Sequence, residues 1–242
     1  MESSAKKKGL SIKKLIKNPL IVALDVDTDK EALRLAEDLA SLAGAFKIGP
    51  RLCLRYGQNL IEQIAKKAPV FLDNKHFDIP STMEAAINSS FQAGASLVTI
   101  HGLSGSAATE RLSHLEAELN KQRPFKILVV TILTSWEQQS LPRNLQNWEI
   151  KKHVQTIVED AKSAGLTGVV CSAHELEYLD LKEIFVVTPG LQFESKNEDQ
   201  KRTMTPAEAL AKGASALVVG RSIIKSKNPQ LVTEEILKSL KV

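Results

Sequence analysis

Three charged side chains stand close together in the segment FLDNKHFDIPST, residues 71–82: Asp73, Lys75 and Asp78. They follow a short apolar run, Val70-Phe71-Leu72, of the kind that forms a buried strand. On a strand, residues two apart share a face, so Asp73 and Lys75 are predicted to point the same way. Charges lose water where a buried strand emerges, and two carboxylates around an ammonium are costly there unless they are paired. A chain that carries this cost has a use for it. An ammonium held between carboxylates can stabilise developing negative charge and then give up a proton.

The elements that must position these groups repeat along the chain. Apolar, β-branched runs recur at 20–26, 45–49, 69–73, 97–101, 126–133, 168–172, 184–188 and 216–220. They are continuous rather than alternating, which predicts strands buried on both faces, as in parallel sheets. Helical patterns lie between and after them, at 29–42, 54–67, 82–94, 105–121, 149–164, 173–180, 206–212 and 229–240, the sixth being short and the weakest pattern. The joins AGAFKIG, AGASLVTIH, AGLTGVVCS and KGASALVVG each place glycine where a helix ends, a position that favours the left-handed conformation. Ser81 with Glu84, and Thr205 with Pro206 and Glu208, have the spacing of capping boxes.

Eight such β-α units without a linker or composition break predict an α/β fold, a single (β/α)8 TIM barrel spanning 18–242. A basic stretch over 1–17 precedes it and is expected to be a flexible tail. An open doubly wound sheet is the alternative. It lacks its glycine-rich loop here, because LDVDTDK follows the first strand.

In such a barrel the chemistry sits at the C-terminal ends of the strands. There the chain offers Asp25 on strand one, Lys47 on strand two, Asp73 and Lys75 on strand three, His101 on strand four and Thr134 on strand five. Each has a structural reading when taken singly. Asp25 could open a turn, Lys47 could snorkel to water, Asp73 and Lys75 could form a structural ion pair, Asp78 could favour a helix start, and His101 could be a satisfied structural histidine. For Lys47, Asp73, Lys75 and Asp78 on adjacent strands, a shared site is the better account. Strand seven runs into Pro189-Gly190 and strand eight into Gly220-Arg221, glycine turns that expose backbone N–H groups beside a fixed cationic fork. Together they suit a phosphorylated ligand.

Composition narrows the partners. At 242 residues, with 43% hydrophobic and 25% charged content, the chain has the makeup of a soluble globular domain with a sizeable core. A net charge of +4 is a weak signal for nucleic acid, and aromatics at 5% leave few stacking platforms, so no nucleic-acid partner is expected. No apolar run is long enough for a membrane span. Cys53 and Cys171 form no CxxC pair, which fits a reduced, cytoplasmic setting.

The set of motifs, in order over roughly 18–235, resembles the orotidine 5′-phosphate decarboxylase family of bacterial type. The match rests on D-x-K-x-x-D-I-P-x-T at 73–82, ALDV around Asp25, FKIGP around Lys47, TILTS around Thr134, VTPG at 187–190, DQKRTMTP at 199–206 and VVGRS at 218–222. The resemblance implies decarboxylation of orotidine 5′-monophosphate (OMP) to UMP in pyrimidine biosynthesis, without metal or cofactor. It casts Lys75 as proton donor, Asp73 as the group facing the substrate carboxylate, and Lys47 as the partner of both Asp73 and the ribose. Asp78, Ile79 and Thr82 would reach a neighbouring subunit's site, which implies a homodimer. Asp25 would hold ribose hydroxyls and Thr134 the pyrimidine edge. Pro189, Gln192, Gln200, Gly220 and Arg221 would line the ligand toward its phosphate. The chain departs from the pattern of the family it resembles after strand seven: PGLQ replaces PGIR, so Gln192 stands where an arginine is usual. Two rivals share the scaffold, a Mg²⁺-dependent sugar-phosphate lyase or decarboxylase and a non-catalytic binder of phosphorylated ligands.

Overall fold

The computed structural model describes residues 15–191, 193 and 204–241. Its strands are β1 (Leu20–Ala23), β2 (Ala45–Ile48), β3 (Val70–His76), β4 (Ala95–His101), β5 (Lys126–Val130), β6 (Gly168–Val170), β7 (Phe185–Thr188) and β8 (Ala216–Val219). They run parallel and close in chain order, with β1 also paired to β8 through Leu20↔Leu217, Ile21↔Val218 and Val22↔Val219. Outside them lie α1 (Asp29–Leu39), α2 (Pro50–Ala65), α3 (Pro80–Gln92), α4 (Ser106–Leu119), α5 (Ile150–Ala164), α6 (Pro206–Ala211), α7 (Arg221–Ile224) and α8 (Pro229–Ser239). The chain is a single (β/α)8 barrel, as its periodicity predicts.

Local chemistry accounts for most element ends. Thr28 caps α1 by accepting from the Glu31 N–H at 3.3 Å, and the helix buries the stripe Ala32, Leu35, Ala36 and Leu39 against the sheet. Thr205 and Glu208 form the reciprocal capping box expected at α6. Ser81 does not cap α3. Proline at 80 takes the first helical position, so the helix starts two residues earlier with Ile79 as its cap. Gly94, Gly165 and Gly213 take the left-handed conformation at helix ends. Gly44 does not, and its glycine serves proximity instead: an added Cβ would lie 2.0 Å from the Asn18 carbonyl oxygen.

Other element boundaries also differ from the sequence reading. The segment between β6 and β7 forms only a 3-10 turn, Glu175–Tyr178, in place of a sixth α-helix. The ladder of β5 ends at Val130, so Thr134 sits in a turn beyond it. A short helix, α7, follows Gly220.

Two apolar layers hold the barrel. One packs the outer strand faces against the helices. The other fills the interior with Ile21, Ala23, Ala45, Phe71, Leu97, Leu128 and their neighbours. Leu15 and Ile16, inside the basic N-terminal stretch, are buried in this inner layer, and the Lys17 ammonium donates to the Ala40 and Ser41 carbonyls, both at 2.7 Å. Strand alternation then fixes the mouth. Ala23, Ala45 and Phe71 face inward, so Asp25, Lys47 and Asp73 two residues on continue the inward face toward the C-terminal rim.

Candidate active site

Four charged groups form one continuous row at this rim. The Lys47 ammonium lies 3.0 Å from Asp25 Oδ1 and 3.8 Å from Asp73 Oδ2, and the Lys75 ammonium lies 2.8 Å from Asp73 Oδ1. Reading across the strands gives Asp25, Lys47, Asp73, Lys75, with signs alternating. The middle of the row is the driest part: the side chains of Lys47 and Asp73 are 12% and 16% exposed, against 36% for Lys75 and 52% for Asp25. Each interior charge therefore has an opposite neighbour, the condition under which charged groups stay charged away from water.

Strand β3 departs from regular geometry where it delivers these groups. Its pairing with β4 runs Leu72↔Val98 and then His76↔Ile100, so Asp73, Asn74 and Lys75 lie opposite Thr99 alone. Lys75 takes a positive φ of 49°, unusual for a residue with a side chain. The bulge re-aims Lys75 toward the mouth, a use to which bulges beside functional sites are commonly put. Strand alternation alone would have placed Lys75 on the same face as Asp73. The observed contact is reached through a kink rather than through a straight strand.

His101 closes β4 and is buried. Its Nδ1 accepts from the Leu103 N–H at 3.2 Å, and its ring stacks on Phe77 with centroids 5.7 Å apart. Burial, and then the positive charge of Lys75, hold its pKa below the ordinary imidazole value. The neutral ring with a filled Nδ1 is a wall of the site, in line with the structural reading of this residue.

The remaining expected residues fall into four groups. Gly220 joins β8 to α7 close to the row: a Cβ there would stand 3.2 Å from the Ala23 Cβ and 3.6 Å from Asp25 Oδ2. Arg221, just beyond, is exposed and engages no acidic partner among the described residues. Pro189 and Gly190 follow β7, Gly190 with φ +77° and nothing among the described residues within 4 Å of where a Cβ would stand. Asp78, Ile79 and Thr82 lie on the exposed side of the mouth, where Asp78 accepts from the Ile79 N–H at 2.6 Å. Within its own chain Asp78 pairs with no basic side chain among the described residues, so it does not extend the row beyond Lys75. Gln192 and Gln200 lie outside the described residues.

Two groups near the rim were not singled out from sequence. Thr99 is fully buried, and its hydroxyl oxygen accepts from the Lys75 N–H at 2.8 Å while lying 3.2 Å from Asp73 Oδ1. The only sequence signal for it is a hydroxyl inside the apolar run LVTI. Glu175, past β6, is buried with its carboxylate accepting from Ser172 N at 2.9 Å and Thr131 Oγ1 at 3.3 Å. Burial raises its pKa despite those donors.

No helix among the described residues is long and apolar enough to cross a membrane, and no cluster of three or more His, Cys, Asp or Glu side chains among them is arranged to hold a metal ion.

Comparison with known proteins bears on this geometry. A family model described as "Orotidine 5'-phosphate decarboxylase / HUMPS family" matches residues 18–236. An orotidine 5'-phosphate decarboxylase of Wigglesworthia glossinidia brevipalpis is 36% identical over 232 residues, covering 92% of this chain and 97% of that protein. One of Carboxydothermus hydrogenoformans is 38% identical over 229 residues, covering 91% and 95%. Among solved structures, orotidine 5'-phosphate decarboxylase from Lactobacillus acidophilus superposes with a TM-score of 0.78 at 29% identity, covering 93% of this chain and all of that one.

Proposed function

Because the chain belongs to the orotidine 5'-phosphate decarboxylase / HUMPS family, we propose that it converts OMP to UMP and carbon dioxide, with Lys75 as the proton donor. The observation that carries this reading is the alternating row Asp25–Lys47–Asp73–Lys75 at the barrel mouth.

The reaction breaks the bond between a pyrimidine carbon and its carboxylate, leaving the electron pair on that carbon. Nothing in the ring absorbs it well, so the protein must stabilise charge where it develops. The Lys75 ammonium is suited to this. It is paired with Asp73 at 2.8 Å, yet it ends the row and is more exposed than the Lys47–Asp73 middle, so a substrate can reach it. As carbon dioxide leaves, the ammonium stabilises the carbanion and then transfers its proton, so that a C–H bond replaces the C–C bond. The neutral amine regains a proton from water. Asp73 faces the departing carboxylate, while Lys47 spans Asp73 and the ribose side.

The rest of the ligand follows the rim. Asp25, with half its side chain exposed, is available to ribose hydroxyls, and the close approach of Gly220 brings the β8 turn and Arg221 alongside for the phosphate. Thr134 would meet the pyrimidine edge, and Pro189 with Gln192 and Gln200 would complete the ligand's surroundings. Binding energy at a phosphate far from the reacting carbon can be spent on the chemical step. We assign no cofactor or metal to this reaction.

The site is completed by a second copy of the chain. Phe77 and Ile79 are 62% and 64% exposed, an unusual state for large apolar side chains, and they flank Asp78, which pairs with no basic side chain among the described residues. A homodimer that covers them would bring Asp78, Ile79 and Thr82 to the partner's mouth and continue the alternation past Lys75. The decisive assay is the loss of OMP absorbance on incubation with the purified protein, with UMP and carbon dioxide identified as products. No turnover of OMP by folded protein would refute the reading.

A further inference from the structure

The kink in β3 raises a question of backbone accounting. A bulge removes ladder partners, and a buried N–H left without an acceptor costs about 1–3 kcal/mol. Lys75 is the residue at risk, since it lies in the irregular stretch and holds φ at 49°. Its N–H is satisfied by a side chain rather than by a strand carbonyl: Thr99 Oγ1, at 2.8 Å. The same oxygen lies 3.2 Å from Asp73 Oδ1 and 3.4 Å from the Leu72 carbonyl, so its single proton has an acceptor on either side. Thr99 is the one β4 residue opposite the bulge, and it is fully buried, with no solvent to exchange for these contacts.

We propose that Thr99 is a positioning residue for the decarboxylation: its hydroxyl fastens the bulge, holding the Lys75 backbone in its left-handed turn and the Asp73 carboxylate beside the Lys75 ammonium. A packing role would need only the branched shape, because the outline of threonine is nearly that of valine. The hydroxyl does what valine cannot. It accepts from the backbone of the proton donor and reaches the carboxylate that orients the donor. One oxygen thus couples the conformation at Lys75 to the direction of Asp73. Thr99 touches neither ligand nor reacting atoms, and acts only through those two residues.

The rate readout rests on the decarboxylase reading above, so a second readout is independent of it. Thr99→Val is expected to lower kcat on OMP by about 10–100-fold, as small misplacements of reacting groups do, while KM and UMP affinity stay within about threefold and Thr99→Ser restores kcat to within about threefold of the parent. In the unsubstituted protein, the Lys75 amide should exchange with D2O far more slowly than an unprotected peptide, as followed by NMR. A kcat for Thr99→Val near that of the parent, or a Thr99→Ser protein as slow as the valine one, would overturn the proposal. So would a freely exchanging Lys75 amide, a result that can be had even if the valine protein fails to fold. If the parent protein proves inert on OMP, the decarboxylase reading falls and amide protection alone decides whether Thr99 fastens the bulge.

Discussion

Removing the Lys75 ammonium is the sharpest perturbation, and its size follows from the geometry. Lys75→Ala deletes the cation 2.8 Å from Asp73 Oδ1 but leaves Asp73 with Lys47 at 3.8 Å and the Thr99 hydroxyl at 3.2 Å. The carboxylate is therefore weakened in its pairing, not stranded, and the stability cost should be about 1–2 kcal/mol. For a chain of this size that is a fall in Tm of roughly 2–4 °C per kcal/mol. The chemical step loses far more. General acid catalysis is worth about 10²–10⁴-fold and a preorganised charge at a developing anion about 10²–10³-fold, so turnover should drop by about 10⁴-fold or more. At 1.36 kcal/mol per decade that is at least about 5 kcal/mol of transition-state stabilisation. The assay pairs initial rates on OMP with UMP affinity from calorimetry and Tm from thermal unfolding. The expected pattern is lost turnover, near-normal product binding and a small shift in Tm. Turnover within tenfold of the parent would refute Lys75 as proton donor. A collapse of UMP binding along with activity would show that the residue organises the pocket instead.

Further outcomes follow from the same geometry. If Asp78 serves the partner's site, mixing Asp78→Ala with Lys75→Ala protein should restore part of the activity through hybrid dimers with one intact mouth, and absence of recovery despite demonstrated subunit exchange would count against a shared site. Treatment with EDTA followed by desalting should leave decarboxylation unchanged, whereas loss of activity restored by Mg²⁺ would favour the lyase alternative. Gly220→Ala places a Cβ 3.2 Å from Ala23 and 3.6 Å from Asp25 Oδ2, and should raise KM for OMP more than it lowers kcat; unchanged KM would remove the β8 turn from the ligand's path. Glu175 has its pKa raised by burial, so the stability it contributes is present below the unfolded carboxyl pKa and is lost as pH rises through the folded value. Glu175→Gln keeps an acceptor for Ser172 and Thr131, and should raise Tm at pH 8 while leaving it nearly unchanged at pH 4. Equal shifts at both pH values would mean that ionisation is not what the site resists.

Much of this was legible in the chain because the relevant signals are local. Continuous apolar strands announced a parallel sheet, and glycines at helix ends marked three of the four expected left-handed turns. The charges at strand ends could be placed on the inward face by counting twos from Ala23, Ala45 and Phe71. What escaped was non-local. The 3-10 turn at Glu175–Tyr178 replaces a helix over a segment too short to bury an amphipathic stripe. Asp25 was expected to serve the ribose, yet it also ends the charge row through Lys47 on the neighbouring strand, a pairing that depends on register and not on spacing in either strand.

The bulge is the most instructive omission. Nothing in LDNKH marks a kink: it holds neither the glycine nor the proline that usually flags one, and Lys75 takes a conformation that its own residue type disfavours. The determinant lies 24 residues away, in a threonine whose hydroxyl stands in for a missing ladder partner. A straight β3 would keep its backbone bonds without help, and a threonine there would be one more β-branched strand residue. A kinked β3 needs an acceptor at that spot, and it gains an ammonium whose direction is set by backbone geometry rather than by a long flexible stem alone. Strain at Lys75 and burial of Thr99 are thus two sides of one arrangement, and the cost of the first is met by the hydrogen bonds of the second.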